Sequence, residues 1–302
     1  METPTMVVDG WLAPIAITAG VLLGGCSPRA DDMATPLAGP DRAVEGGAAL
    51  VVRLGEGAER RWTEATLAAS LPDGKTTVEV DSPLYKRPMR YEGYPLRDVL
   101  RATGGGGIGE GELEFHCADG YVPTVPAALV EPLGLFLAVG ESMRSDGRRW
   151  SPLPSDPSAS PGPFYIIGTA PGAYVRFPWP YQLTAIRAVD FAATYPDAFP
   201  RGAAPDSPAY RGFVTFRDAC FGCHSINLQG GDIGPELNIP RSVTEYRERE
   251  TLRAFIRDPR SFRARTRMPA FPIADEQIDE LLSYLDHMAG LKKPLAPVPS
   301  PQ

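Results

Sequence analysis

Residues 210–224 read YRGFVTFRDACFGCH, and the last five, Cys220-Phe221-Gly222-Cys223-His224, decide how the C-terminal third of the chain folds. A C-x-x-C-H run sets two thiols one loop apart with an imidazole directly behind them. This is the arrangement of a c-type haem attachment site, in which the thiols form thioethers to the porphyrin and the histidine binds the iron. With 4 Cys and 3 His in 302 residues, a given Cys meets this spacing by chance about once in 10⁴. A redox C-x-x-C or half of a zinc site shares the first four residues. A zinc site needs two further ligands, and the one later candidate is His287.

Working outward, 210–220 predicts a short amphipathic helix, with Gly212 and Phe216 four residues apart on one face. The segment 275–289, DEQIDELLSYLDHMA, predicts a longer helix. Its stripe is Ile278, Leu281, Leu282 and Leu285, and its acids crowd the first turns, where the helix dipole favours them. A glycine on one helix lets an aromatic of another come close, and Tyr284 is the expected partner of Gly212.

Together these residues make 208–292 resemble a class I monohaem cytochrome c. In that family a glycine and an aromatic precede the first haem cysteine by eight and four residues, the spacing of Gly212, Phe216 and Cys220. A Gly-Pro-x-Leu segment follows the haem histidine, matched by Gly234-Pro235-Glu236-Leu237. The resemblance implies that the Pro235 carbonyl accepts a hydrogen bond from His224 Nδ1, fixing the tautomer. It also implies that Met268, in Arg267-Met268-Pro269, is the sixth ligand. Met288 and His287 are its rivals, a core methionine and a surface histidine on the plainer reading. An iron held by His and Met has both axial positions filled and a raised potential, so the domain is expected to carry single electrons rather than perform bond chemistry. Arg260, Arg263, Arg265 and Arg267 lead into Met268 with no acid between 259 and 268. They are either a solvated loop or a basic collar that steers a redox partner with an acidic docking patch.

Residues 45–195 alternate short apolar runs with Gly-rich and Pro-rich turns. Strands are expected at 48–54, 77–80, 113–117, 164–167 and 181–191, with a helix at 95–102. Two stretches here look familiar. Tyr91-Glu92-Gly93-Tyr94-Pro95-Leu96 and Glu114 to Tyr121, ending in Asp119-Gly120-Tyr121, resemble segments of the sulfite-oxidase-type molybdopterin-binding domain, as does Pro161-Gly162-Pro163-Phe164-Tyr165. Active members of that family carry the molybdenum-binding Cys upstream of the first stretch, whereas no Cys lies between Cys26 and Tyr91. The resemblance therefore implies a degenerate member that holds no molybdopterin. Cys117 is expected to be a buried, small hydrophobe. His116, its neighbour on a strand, should point to the other face, and Asp119-Gly120 should cap a tight turn.

Residues 11–25, WLAPIAITAGVLLGG, form an apolar run suited to a signal peptide, and Leu23-Gly24-Gly25-Cys26 resembles a bacterial lipobox. Acylation of Cys26 is the expectation, although 1–10 carry no Lys or Arg, and an uncleaved anchor is the alternative. Residues 27–44 read as a polar tether.

The expected organisation is thus a signal peptide (1–25), a tether (26–44), a mixed α+β domain with a mostly β core (45–200), an all-α cytochrome c domain (201–293) and a tail (294–302). Hydrophobic residues at 43% exclude global disorder, and a net charge of −7 argues against a nucleic-acid binder. The chain reads as a periplasmic, membrane-tethered electron carrier with one covalent haem c and redox-protein partners. The first domain serves it as a docking platform or structural body. The competing reading is an enzyme whose first domain binds molybdopterin, oxidises a small substrate such as sulfite and passes electrons to the haem.

Overall fold

The structure is a computed structural model and is described for residues 48–55, 58–104, 111–142, 146–177, 179–271 and 273–294. The signal run, Cys26, the tether and most of the tail lie outside the described residues. Among the described residues, no helix is long and apolar enough to cross a membrane.

The chain opens with a hairpin of β1 (Leu50–Leu54) and β2 (Ala58–Trp62). Helix α1 (Glu64–Ser70) starts at Thr63, whose hydroxyl accepts the Thr66 N–H while Thr66 Oγ1 accepts the Thr63 N–H, a reciprocal cap. Strands β3 (Thr76–Ser82) and β4 (Arg87–Pro95) lead into α2 (Leu96–Ala102). Then come β5 (Glu112–Cys117), β6 (Thr124–Pro126), β7 (Leu135–Glu141), β8 (Tyr165–Gly168), α3 (Ala173–Arg176), β9 (Leu183–Val189) and α4 (Phe191–Thr194).

The strands form two sheets. One has the order β2-β1-β9-β5-β6, antiparallel except where β1 runs parallel to β9; the other is β3-β4-β7-β8, antiparallel throughout. Strand β7 shows why both sheets are needed. Its Leu135, Leu137 and Val139 face a core shared with Leu50, Phe115, Ile186 and α2, while Phe136 and Ala138 face a second, aromatic cluster of Tyr91, Trp150, Tyr165 and Trp179. A strand buried on both faces has no polar alternation, so β7 was absent from the expected strands. The expected strands overlap β1, β3, β5, β8 and β9 with ends shifted by a few residues.

The familiar stretch around Tyr91 is occupied with packing. Tyr91 is fully buried in the aromatic cluster, and Leu96 is fully buried in the main core. At Gly93 a Cβ would lie 2.0 Å from the Leu137 carbonyl oxygen, so β7 tolerates only glycine there.

The remaining helices are α5 (Pro208–Ala219), α6 (Val243–Tyr246), α7 (Arg249–Arg257), α8 (Pro259–Phe262) and α9 (Asp275–Ala289). A two-residue-per-strand hairpin, β10 (Ser225–Ile226) with β11 (Gln229–Gly230), interrupts them. Helix α9 has the bounds its stripe predicts. The architecture is therefore a β-rich part followed by a helical part. The helical core starts earlier than residue 201, because Phe191 and Ala198 pack into it with Phe213, Phe216, Phe221 and Tyr284. The two parts belong to one compact unit.

Candidate functional site: the Cys220–His224 loop

Helix α5 and helix α9 build the floor of the site. A Cβ at Gly212 would lie 1.8 Å from the Glu280 carbonyl oxygen, so the two backbones touch here. This corrects the expected partner: α9 backbone, not the Tyr284 ring, fills the space over Gly212. Tyr284 instead packs on Phe216 and Phe213, with ring centroids 5.0 and 5.8 Å away, and its hydroxyl donates to the Ala198 carbonyl at 2.7 Å.

The motif winds tightly off the end of α5. The Cys220 carbonyl accepts the N–H groups of both Cys223 (3.0 Å) and His224 (2.9 Å). Phe221 is buried as an anchor, its ring 4.8 Å from both Phe191 and Tyr195. Gly231 donates to the Phe221 carbonyl at 2.9 Å and Gly234 to the Cys223 carbonyl at 2.7 Å, which wraps the following loop around the motif.

That loop fixes the histidine. His224 Nδ1 lies 2.8 Å from the Pro235 carbonyl oxygen. A carbonyl can only accept, so Nδ1 carries the proton and Nε2 keeps its lone pair. Burial lowers the His224 pKa, only partly opposed by the Pro235 bond and the Glu236 charge, which favours the neutral, metal-binding imidazole. Gly234 lies against the ring, where a Cβ would come 2.4 Å from His224 Cε1.

Glu236 holds the loop, a role the sequence did not signal. Its Oε1 accepts the N–H groups of Asn227 (2.9 Å), Asn238 (2.8 Å) and Ile239 (3.2 Å), and its Oε2 accepts that of Leu228 (2.9 Å). Asn227 and Leu228 both have positive φ, at 54° and 66°. The carboxylate thus ties a strained hairpin turn to the segment carrying Pro235.

Met268 is half-buried and packs against the helical core. Its rivals have other positions: Met288 is fully buried in that core, and the half-buried His287 has Nε2 3.1 Å from the Arg201 carbonyl. Arg260, Arg263, Arg265 and Arg267 are all exposed.

Cys117 is buried in the main core of the first part, and burial pushes its thiol well up. His116 pairs with Glu114 rather than Cys117, Nε2 lying 3.1 Å from Oε2. Asp119 Oδ1 accepts the Tyr121 N–H at 3.1 Å, the expected turn cap. What the sequence did not show is where that turn goes: the Val122 N–H donates to the Gly222 carbonyl at 3.2 Å.

The donor set fits a covalent haem. Cys220 and Cys223 are free thiols, His224 presents an unprotonated Nε2, and the loop geometry that a haem histidine requires is in place.

Residues 207–285 match the family model described as cytochrome C oxidase, cbb3-type, subunit III. No curated protein matches the chain. The C-terminal part is accordingly a cytochrome c domain, a domain type that carries haem c and passes electrons to redox partners.

Proposed function

We propose that the chain is a lipid-anchored, monohaem c-type cytochrome that carries single electrons between redox partners on the periplasmic side of a bacterial membrane. The observation that carries this reading is the 2.8 Å contact between His224 Nδ1 and the Pro235 carbonyl, on the imidazole that directly follows the two thiols. Cys220 and Cys223 would hold the porphyrin through thioethers, and His224 Nε2 and the Met268 thioether would bind the iron. Bound haem would supply a one-electron iron couple. The chain's own part is to orient His224 through the Pro235 carbonyl and to hold Met268 against the helical core.

The first domain acts as a docking platform or structural body. Burial of Cys117 in its core, with the thiol held protonated, supports this over a molybdenum ligand. Leu23-Gly24-Gly25-Cys26 supports the lipid anchor, and the arginine collar before Met268 supports a partner with an acidic patch.

The test is the absorption spectrum and metal content of protein made in a host that attaches haem c. One covalent haem and no molybdenum are expected. Met268→Ala should keep the haem attached, lower its potential and admit cyanide or carbon monoxide to the iron. An unchanged spectrum and potential would move the sixth ligand elsewhere. Stoichiometric molybdenum together with a substrate-oxidising activity would favour the enzyme.

A further inference from the structure

Where the β-rich part meets the helical part lies a pocket of about 520 Å³. Small-molecule sites have this size and favour such joints. The end of β9 and the start of α4 form one wall, and α5 forms another. Along α5 the lining residues are Tyr210, Phe213 and Arg217. Steps of three and four residues put them on one helix face, so a ring stands between two polar ends about 10 Å apart along the axis. The Arg217 guanidinium lies over the Phe213 ring, 5.9 Å from its centroid. Phe199, half-buried, lines the pocket beside them, its ring centroid 6.2 Å from that of Tyr210 and 5.3 Å from that of Phe213.

The polar groups decide what fits between these walls. Glu112 accepts from Arg217 Nη1 at 2.6 Å and from the Phe191 N–H at 3.2 Å. Asp218 accepts from Arg217 Nε at 2.8 Å, and Asp190 accepts the Ala193 N–H at 3.1 Å. These carboxylates are thus committed within the protein. The Tyr210 hydroxyl has no partner among the described residues, and the guanidinium fork carries more N–H groups than its two acceptors use. The side-chain groups left over can donate, so an occupant needs acceptor oxygens. Three carboxylates against one guanidinium repel an anion. A cation would meet a guanidinium that already covers the Phe213 ring. What remains is a neutral, flat ring with an acceptor oxygen at either end.

We propose that this pocket binds a molecule of the quinone class, its ring against Phe199 and Tyr210 and its carbonyl oxygens accepting from the Tyr210 hydroxyl and the Arg217 guanidinium. Phe191 also lines the pocket, and its ring lies 4.8 Å from that of Phe221, inside the Cys220–His224 motif. A ligand in the pocket is therefore one ring away from the haem-attachment loop. Binding stands on the pocket alone and does not depend on the carrier reading.

The experiment is equilibrium dialysis of the oxidised full-length protein against duroquinone, whose fully substituted ring cannot add to thiols. Saturable binding of a single molecule per chain is expected. Tyr210→Phe keeps the ring and removes the hydroxyl, and should weaken binding about threefold or more. Ala192→Trp fills the pocket from its α4 wall, where Ala192 is half-buried, and should abolish binding. Glu79→Gln, on β3 in the other sheet, is the control and should bind as wild type does. Benzoate and phenyltrimethylammonium, an anion and a cation with a similar ring, should bind at least about tenfold more weakly than duroquinone. No saturable binding, binding untouched by Tyr210→Phe and Ala192→Trp, or either ion bound as well as duroquinone would overturn the site. Wild-type protein that binds duroquinone but takes no covalent haem would overturn the carrier reading and leave the site standing, whereas a normal haem without duroquinone binding would overturn the site alone.

Discussion

A single carboxylate decides whether the haem loop has one conformation. Glu236 accepts four backbone N–H groups, two of them from Asn227 and Leu228 in a left-handed turn. Glu236→Gln keeps one carbonyl oxygen and puts an NH₂ donor against an N–H, leaving at least one loop amide without its acceptor and the others without a charged one. Unfolding measurements should show a loss of about 1–3 kcal/mol. Because the same loop carries Pro235, the His224 ring should also loosen, visible as broadened imidazole signals in the haem-free protein. A stability and a His224 signal equal to wild type would show that the loop closes without this charge. Cys220, Cys223 and His224 were legible in the sequence because their chemistry needs only local spacing. The contact of Pro235 with His224 was legible through the family resemblance, which is also the ground for proposing Met268. Glu236 was not, since a carboxylate's partners are set by how a loop closes, and no short pattern records that closure.

At the scale of elements, the packing of α5 on α9 is the joint on which the helical part depends. A Cβ at Gly212 would lie 1.8 Å from the Glu280 carbonyl oxygen, and a backbone atom cannot turn aside as a side chain can. Gly212→Ala should force the helices apart and cost about 1–3 kcal/mol or more. Thermal unfolding checks this, and a midpoint within a degree of wild type would mean that the helices slide rather than separate. The sequence placed α9 because its apolar stripe has a helical period, and it placed α5 through the spacing before Cys220. It read Gly212 as meeting a ring where the structure has backbone, because periodicity tells which face is buried but not what lies against it. Strand β7 went unread for a related reason: an apolar run buried on both faces carries no period.

At the scale of the whole molecule, the β-rich and helical parts are held together by more than the turn over Gly222. Glu112 on β5 and Arg217 on α5 pair at 2.6 Å, and both side chains are largely buried. Burial raises the Glu112 pKa, with Arg217 only partly offsetting it, while Arg217 is held charged by Asp218 as well as Glu112. Arg217→Ala would leave Glu112 without its cation and push its pKa higher still. A carboxyl whose folded pKa is raised lends stability fully present below the unfolded value, near 4.3, and lost as pH rises through the folded value. The variant should therefore be closest to wild type in acid and most destabilised near neutrality, by about 3 kcal/mol. A difference that stays flat between about pH 4 and 7 would mean that Glu112 is already satisfied by the Phe191 N–H, which it accepts at 3.2 Å.

Joining the parts in this way also bears on how the molecule meets a partner. The 208–292 segment balances 12 basic against 12 acidic residues, and the chain as a whole is at −7, so an acidic partner gains nothing from the overall field. Any attraction must be local, and the exposed run Arg260, Arg263, Arg265 and Arg267 beside Met268 is where positive charge gathers without an intervening acid. Exposed charges are screened beyond about 8 Å at 0.15 M salt, so such a collar speeds encounter and adds little to the finished complex. Arg263 and Arg265 can be changed while Arg267, next to Met268, stays in place. Changing these two to Gln should slow association with the natural redox partner several-fold at low salt and leave the reduction potential within error of wild type. Raising salt should erase the difference between variant and wild type. An association rate indifferent to both salt and the substitutions would make 260–267 an ordinary solvated loop, and the partner's footprint would then have to lie on another face of the cytochrome domain.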